Sequence, residues 1–336
     1  MTTAELFKKI ETERILIIGD VMIDAYMWGT VTRISPEAPV PVVAVTERSQ
    51  RLGGAANVAL NVRAMGATPI ICTVVGNDDY GREFQELMYN NEMDRRGVIA
   101  SDSRITTVKS RVIGNNSHLV RVDEEDTHPL STVEEDELLT RVTRIMKTMP
   151  IDAIILQDYD KGVITPRIID EVTSLARRKK VPITVDPKHR NFSHFHDVTL
   201  FKPNLKELRE GLNVEIDDSS METLQHDLAA ACAKIHQTQH NDIILTTLSN
   251  RGMYACDFRS GKMEETLVPA KVRSISDISG AGDTVISVIT LALAAGMDLK
   301  ESVRCANLAG GIVCEQVGVI PIDRVRLERE MTEATE

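Results

Sequence analysis

The clearest chemical potential lies in seven residues in the last quarter of the chain, Asp277-Ile278-Ser279-Gly280-Ala281-Gly282-Asp283, which lead into an apolar helical run from Thr284 to Ala295. Small residues where a loop becomes a helix let backbone N–H groups close on an anion, and the helix dipole favours negative charge there. Asp283 falls in the first turn. There it can take a proton from an attacking hydroxyl while the Gly280, Ala281 and Gly282 amides hold a transferring phosphate. Taken alone, the same motif also suits an aspartate that merely caps its helix.

Three other groups widen the chemistry. Gly53-Gly54-Ala55-Ala56-Asn57 opens a helix; its glycines admit a small polar ligand against the backbone, and Asn57 offers a donor and an acceptor to hydroxyls. Asp20 and Asp24 follow the apolar run Arg14 to Ile18, at the strand end where α/β crevices open, and carboxylates accept well from vicinal hydroxyls. Two solvated loop acids would look the same. Lys202-Pro203-Asn204-Leu205-Lys206-Glu207 places Asn204 and Glu207 one helical turn apart on one face. That spacing suits Mg²⁺ held through water, and equally a capped helix start.

The elements that must carry these groups are short β-branched runs alternating with amphipathic stretches, which predicts an α/β sandwich with a mostly parallel sheet between helix layers. Strands are expected at 15–18, 70–75, 153–156, 183–185, 200–202 and 243–247, and helices at 56–65, 82–90, 133–149 and 223–237. Two segments break the alternation, at about residues 30–52 (with Pro36, Pro39 and Pro41) and 104–125 (a hairpin around Gly114-Asn115-Asn116). They are expected to form a small inserted β-lid on a single domain spanning 1–336. Val40–Val45 and Thr107–Ile113 alternate like strands and carry Val42, Val45, Val108 and Val112. An isolated lid with open edges invites pairing with its own copy, so a homodimer through the lid is expected.

Bulk properties exclude several classes. A net charge of −11 with no basic stripe argues against a nucleic-acid partner. The polar N-terminus and the lack of any membrane-length apolar run argue against a membrane protein and for the cytoplasm. Five cysteines, widely spaced in apolar surroundings, suggest buried thiols rather than a disulfide framework or a metal site.

With these residues in view, the chain resembles the ribokinase/PfkB family over essentially its whole length. The Gly53–Gly76 spacing is similar to that family's N-terminal signature, and Asp277–Asp283 to its C-terminal one, with Ile278 in place of a smaller residue. The resemblance implies a ribokinase-like three-layer α/β/α fold and an ATP-dependent sugar kinase, with Asp283 as base and Gly280, Ala281 and Gly282 as anion hole. It implies Mg²⁺ acting with Asn204 and Glu207, and a sugar site at Asp20, Asp24, Gly53, Gly54 and Asn57. The nucleotide is implied at Asn204, Glu207, Thr247, Ser249, Gly252, Asp277 and Asn307; the loop Thr247-Leu248-Ser249-Asn250-Arg251-Gly252 carries Ser249 where the family has glycine. A monovalent cation is also compatible with it, and lid-to-lid dimers agree with it.

Six blocks sharpen the resemblance toward kinases that phosphorylate D-glycero-β-D-manno-heptose 7-phosphate at the anomeric position. They are Gly19-Asp20-Val21-Met22-Ile23-Asp24, Arg33 to Val42, Lys109-Ser110-Arg111-Val112-Ile113, Arg121-Val122-Asp123, Asp158-Tyr159-Asp160-Lys161-Gly162 and Asp186-Pro187-Lys188. His189 and Val319-Ile320-Pro321 depart from that pattern. A phosphorylated sugar needs cations, and Arg111, Lys161 and Lys188 are the candidates because each lies in such a block. None of the eight histidines shows the H-x-G-H spacing of the nucleotidyltransferase to which many such kinases are fused, so the kinase part alone is expected. The competing readings are a kinase of the same fold acting on another sugar, and a non-catalytic sugar-binding protein.

Overall fold

The computed structural model describes residues 2–115 and 117–333. Its elements in chain order are α1 (Thr3–Ile10), β1 (Arg14–Gly19), β2 (Val21–Ile34), β3 (Pro41–Gly54), α2 (Ala55–Ala64), β4 (Thr68–Gly76), α3 (Asp79–Asn90), β5 (Asp94–Ser101), β6 (Val108–Gly114) and β7 (Ser117–Glu124). There follow α4 (Thr132–Thr148), β8 (Ala153–Gln157), α5 (Pro166–Lys179), β9 (Ile183–Asp186), β10 (Leu200–Phe201), α6 (Leu205–Leu212), α7 (Met221–Gln239), β11 (Ile243–Thr247), β12 (Met253–Asp257), β13 (Glu264–Val268), α8 (Ala281–Ala294), α9 (Leu299–Val313) and α10 (Arg324–Glu333).

β1 shows why three layers form. Ile15 and Ile17 point into a core shared with α1, α2, α8, α9 and α10, whereas Leu16 and Ile18 point into a second core with α4, α5 and α7. A strand apolar on both faces must be covered on both. Nine strands line up as β13-β12-β11-β10-β9-β8-β1-β4-β5; all pairs from β11 to β5 are parallel, and β12 runs antiparallel to both its neighbours. The six strands expected from sequence are the six consecutive inner ones. The three not expected, β5, β12 and β13, form the sheet's flanks. β5 opens on Asp94-Arg95-Arg96 and β13 on Glu264-Glu265, charge that suits an edge and hides the apolar run of a buried strand.

A second sheet, in order β3-β2-β6-β7, is the lid. It starts earlier than expected, at Val21 rather than residue 30, because β1 passes into β2 after Asp20 alone. The first residues of β2 are buried and so read as part of the main body. Val108 belongs to the main core and is fully buried, which removes it from any outward lid face. Of the four expected, Val45 is exposed and Val42 and Val112 are half-buried; the other exposed apolar lid residues are Ile34, Val40, Leu119, Val120 and Val122. Of the expected hairpin turn, Asn116 lies outside the described residues; Gly114 pairs with Ser117 across it. Among the described residues the cysteines are free and, apart from half-buried Cys314, buried. Among those residues no helix is long and apolar enough to cross a membrane.

At the opposite end of the sheet from the strand ends that matter below, Glu13 is 5% exposed and, among the described residues, neither carboxylate oxygen has a hydrogen-bond partner. Burial, with Asp152 nearby, raises its pKa from about 4.5 to about 8 despite Lys9. A carboxyl that holds its proton more tightly folded than unfolded favours the fold below about pH 4.5, and that contribution is lost as pH rises toward 8. Glu13→Gln is therefore expected to raise the melting temperature by about 2–4 °C at pH 8.5 and to leave it nearly unchanged at pH 4.5, read by thermal denaturation.

Candidate active site

The carboxyl ends of the parallel strands converge on one crevice. β1 ends before Asp20, β8 at Gln157, β9 at Asp186, β10 just before Lys202 and β11 at Thr247. Chain order reverses direction between β1 and β8, the switch point where α/β sheets open a binding crevice. Two helix N-termini face it, those of α2 and α8. Buried polar contacts lock the two together: Thr284 Oγ1 donates to Asn61 Oδ1 at 3.0 Å, and Ser287 Oγ to the Val58 carbonyl at 3.1 Å. This joint brings Asn57, on the first turn of α2, against Asp283, on the first turn of α8.

Asp283 is 3% exposed. Its Oδ2 accepts from Asn57 Nδ2 at 2.8 Å, and its Oδ1 accepts from the Tyr159 hydroxyl at 2.6 Å and from Gln157 Nε2 at 3.2 Å. Burial, helped by the Asp186 charge, lifts its pKa to about 7 against the opposing pull of these bonds and of Lys202. A carboxyl near neutrality at a helix N-terminus is suited to exchange a proton with a hydroxyl. Just ahead of it, Gly280 takes φ +79°, where a side chain would strike Asn57 Nδ2. Ser279 N–H and Gly318 N–H both donate to Asp277, holding the turn; the two backbone bonds keep its carboxyl low although burial opposes them. At Gly282 an added carbon would stand 3.8 Å from both Asp186 Oδ2 and Lys202 Nζ. The turn thus faces a buried pair, Lys202 and Asp186, at 3.0 Å.

The expected sugar residues are drawn together, with one reassignment. Asp24, on β2 and 3% exposed, pairs with Arg111 of β6. Gly53 is required beside it, since a side chain there would fall 2.2 Å from Asp24 Oδ2. Gly54, at φ +60°, clears the Asp20 carbonyl. Asp20 differs from expectation: its carboxylate accepts from the backbone of Tyr159 (2.8 Å), Lys161 (3.1 Å) and Val163 (2.9 Å). Those oxygens organise the loop after β8 rather than face a ligand. The cations do not form one cluster. Lys161 and Lys109 share Glu125, at 2.7 and 3.2 Å, and Arg111 lies over the Tyr26 ring. Lys188 pairs with Glu207 and lies 5.5 Å from the Tyr159 ring centre. Burial works against its charge, but Asp186 and Glu207 together raise its pKa.

Among the residues expected to meet the nucleotide, Asn204 and Glu207 form a reciprocal cap: Asn204 Oδ1 accepts from Glu207 N–H at 2.9 Å and Glu207 Oε2 from Asn204 N–H at 2.8 Å. Among the described residues no three His, Cys, Asp or Glu side chains converge as a metal nest. With Glu207 committed to Lys188 and the cap, a cation ligated directly by several protein oxygens does not fit; one carried by nucleotide phosphates, with Asn204 and Glu207 reached through water, does. Ser249 adopts φ +56°, the left-handed region that explains a glycine in related loops. Gly252, at φ +98°, packs against the Val268 carbonyl. Thr247 bridges to Asn204, and Asn307 donates to the Pro269 carbonyl at 2.8 Å. Gln157, Lys202, Lys109 and Asn61 were given no role from the sequence. A polar residue closing an apolar strand run was the available signal for Gln157 and Lys202, and a place in the same block as Arg111 was the signal for Lys109; Asn61 gave none.

A nine-stranded sheet with a lid, a buried aspartate behind a glycine turn and an N-x-x-E cap define a carbohydrate kinase. The chain matches the pfkB family of carbohydrate kinases over residues 12–324 and belongs to it; it is an ATP-dependent sugar kinase. Among curated proteins it is 37% identical to the bifunctional protein HldE of Methylobacillus flagellatus over 317 residues, 94% of this chain and 63% of that protein. It is 36% identical to HldE of Helicobacter pylori over 91% of this chain and 64% of that protein. The chain thus spans less than two thirds of the length of these relatives. Among solved structures it superposes on Escherichia coli phosphofructokinase-2 in complex with potassium with a TM-score of 0.77 at 19% identity, covering 97% of this chain and 100% of that one. Ribokinase of Arabidopsis thaliana complexed with ribose and ATP gives 0.71 at 15% identity, covering 95% and 99%. At these identities the structures show the shared fold.

Asp20→Ala leaves three amides of the loop after β8 without their acceptor. It is expected to lower the melting temperature by about 5 °C or more and to lower kcat with it. With Asp24 read as the sugar ligand that the resemblance implies, Asp24→Asn is expected to raise the sugar KM at least about 10-fold, with a smaller thermal effect because the amide oxygen can still accept from Arg111. Calorimetry and steady-state kinetics check both.

Proposed function

We propose that this kinase transfers the γ-phosphoryl group of ATP to the anomeric (C1) hydroxyl of D-glycero-β-D-manno-heptose 7-phosphate, giving the 1,7-bisphosphate, a step toward ADP-heptose for the lipopolysaccharide core. The observation that carries the chemistry is Asp283, buried, lifted toward neutrality and placed directly behind the Gly280-Ala281-Gly282 turn. The substrate reading is supported by the HldE relatives and by the cations the lid and the loop after β8 contribute. Lys109 and Arg111 project from one face of β6, and Lys161 shares Glu125 with Lys109. Two lysines around one carboxylate form an arrangement that a substrate phosphate can enter in the carboxylate's place. Lys188, tied to Glu207, is better assigned to the transferring phosphate than to the sugar phosphate.

In this reading Asp24 and Asn57 orient the sugar, Asp283 takes the hydroxyl proton, and the N–H groups at the start of α8, with Lys202 beside them, stabilise charge on the phosphoryl group. Mg²⁺, when bound with the nucleotide, neutralises charge on the β- and γ-phosphates. The loop Thr247–Gly252, Asp277 and Asn307 shape the nucleotide side, and the 336 residues act as one catalytic domain with its lid, in the cytoplasm. A release-of-ADP assay over a panel of sugars and sugar phosphates tests the substrate; preference for an unphosphorylated sugar would move the assignment elsewhere in the family.

For Asp283→Asn, turnover is expected to fall about 10²- to 10⁴-fold while ATP binding by calorimetry persists. Because the ionised form is the active one, kcat/KM of the unaltered enzyme should decline below about pH 7 and level off above it.

The lid supports a homodimer. Every residue of β7 is exposed, and Val120 and Val122 stand two apart on one face of that edge strand, with Val45 exposed on β3. An open edge with apolar side chains is matched by the same patch of a second copy. Light scattering is expected to give twice 37.2 kDa, and Val45→Lys with Val122→Lys is expected to halve the mass and lower activity.

A further inference from the structure

The proton acceptor can be resolved to a single atom. An ionised carboxylate offers about four lone-pair sites, two on each oxygen. Among the described residues, Oδ1 of Asp283 already receives two donors, the Tyr159 hydroxyl at 2.6 Å and Gln157 Nε2 at 3.2 Å, whereas Oδ2 receives only Asn57 Nδ2 at 2.8 Å. We infer that Tyr159 is a positioning residue that closes Oδ1 and leaves Oδ2 as the atom that takes the sugar's proton; the inference rests on the reading of Asp283 as base.

Tyr159 is built to hold that bond. Its backbone N–H is fixed by buried Asp20 at 2.8 Å, its ring lies 5.5 Å from Lys188 Nζ, and Lys188 is in turn tied to Glu207. Gln157 is equally constrained. Its one nitrogen donates to both Asp186 Oδ2 and Asp283 Oδ1, each at 3.2 Å, while its buried Oε1 has no hydrogen-bond partner among the described residues. An amide that leaves its acceptor unsatisfied in order to reach two carboxylates cannot turn away from either. The charged groups around the base are Asp186 from β9, Lys202 following β10, and Lys188, and none of them bonds Oδ2. In the step itself the sugar O–H bond breaks and Oδ2–H forms. The electron pair of that O–H bond forms the new bond to the γ-phosphorus as the bond from phosphorus to the bridging oxygen breaks, and ADP leaves with the pair of the broken bond.

Tyr159→Phe removes a donor that favours the charged carboxylate and reopens Oδ1. The acid limb of the kcat/KM profile is then expected to move up by about one pH unit, with kcat about 10-fold lower and the KM for ATP within about twofold. Packing alone would not move the limb, so an active variant with an unshifted limb overturns the inference. The profile is run with whichever sugar the panel identifies, which separates this result from the substrate reading. As a second measurement on the unaltered enzyme, a crystal structure with that sugar and a non-hydrolysable ATP analogue is expected to place the acceptor hydroxyl on the carboxylate oxygen not bonded to Tyr159. Placement on the Tyr159-bound oxygen overturns it.

Discussion

A carboxylate taken out of water must be given other partners, and the architecture around Asp283 follows from that demand. Desolvation alone would leave it permanently protonated and useless as a base. Three donors arrive from three different elements: Asn57 from α2, Gln157 from the end of β8, and Tyr159 from the loop beyond it. Each needs its own support. Asn57 depends on the Asn61–Thr284 and Ser287–Val58 contacts that register α2 against α8. Tyr159 depends on Asp20, and Gln157 on its place in the sheet between the strands that carry Asp20 and Asp186. The result is a base held near neutrality in the first turn of a helix that opens on the crevice.

This also explains which parts of the molecule were legible in the sequence. The inner strands announce themselves because they are covered on both faces, and the flanks do not because their outer rows are charged, as at Asp94-Arg95-Arg96. Asp283, the glycines before it, Asn57 and Asp24 stood out because they are unusual residue types at fixed local spacing. Gln157 and Lys202 did not, because a polar residue closing an apolar run looks the same whether the strand ends at a crevice or in solvent, and Asn61 did not, because a single asparagine inside a helical run carries no local signal. Asp20 shows the reverse error: two acids four apart look alike in a string, yet one turns to a loop's backbone and the other to Arg111. Only the three amides of the later loop, some 140 positions away, separate them.

Ser249 illustrates a different limit. The departure from glycine was visible, but its conformational consequence was not; the backbone keeps the left-handed turn and the serine adopts it. The loop's shape is set by Gly252 against the Val268 carbonyl and by the bond between the Leu248 N–H and the Gly252 carbonyl at 2.8 Å. The fold here tolerates one disfavoured residue because neighbouring contacts over-determine the path.

The direct passage of β1 into β2 has a mechanical meaning. β2 and β3 are each 14 residues long, roughly 45 Å of paired strand, and both are rooted at the crevice, where Asp20 and Gly54 meet. Such a pair is a lever with its fulcrum at the crevice. Near that fulcrum, Tyr26 and Arg51 of the lever contact Val319, one residue from the amide that steadies Asp277. A tilt of about 10° at the root sweeps the far tip through about 8 Å, by the length of strand involved. Read in the other direction, whatever grips the tip acts on the crevice with a long moment arm, so small forces far from the sugar are geared down into fine adjustment of the groups that surround it.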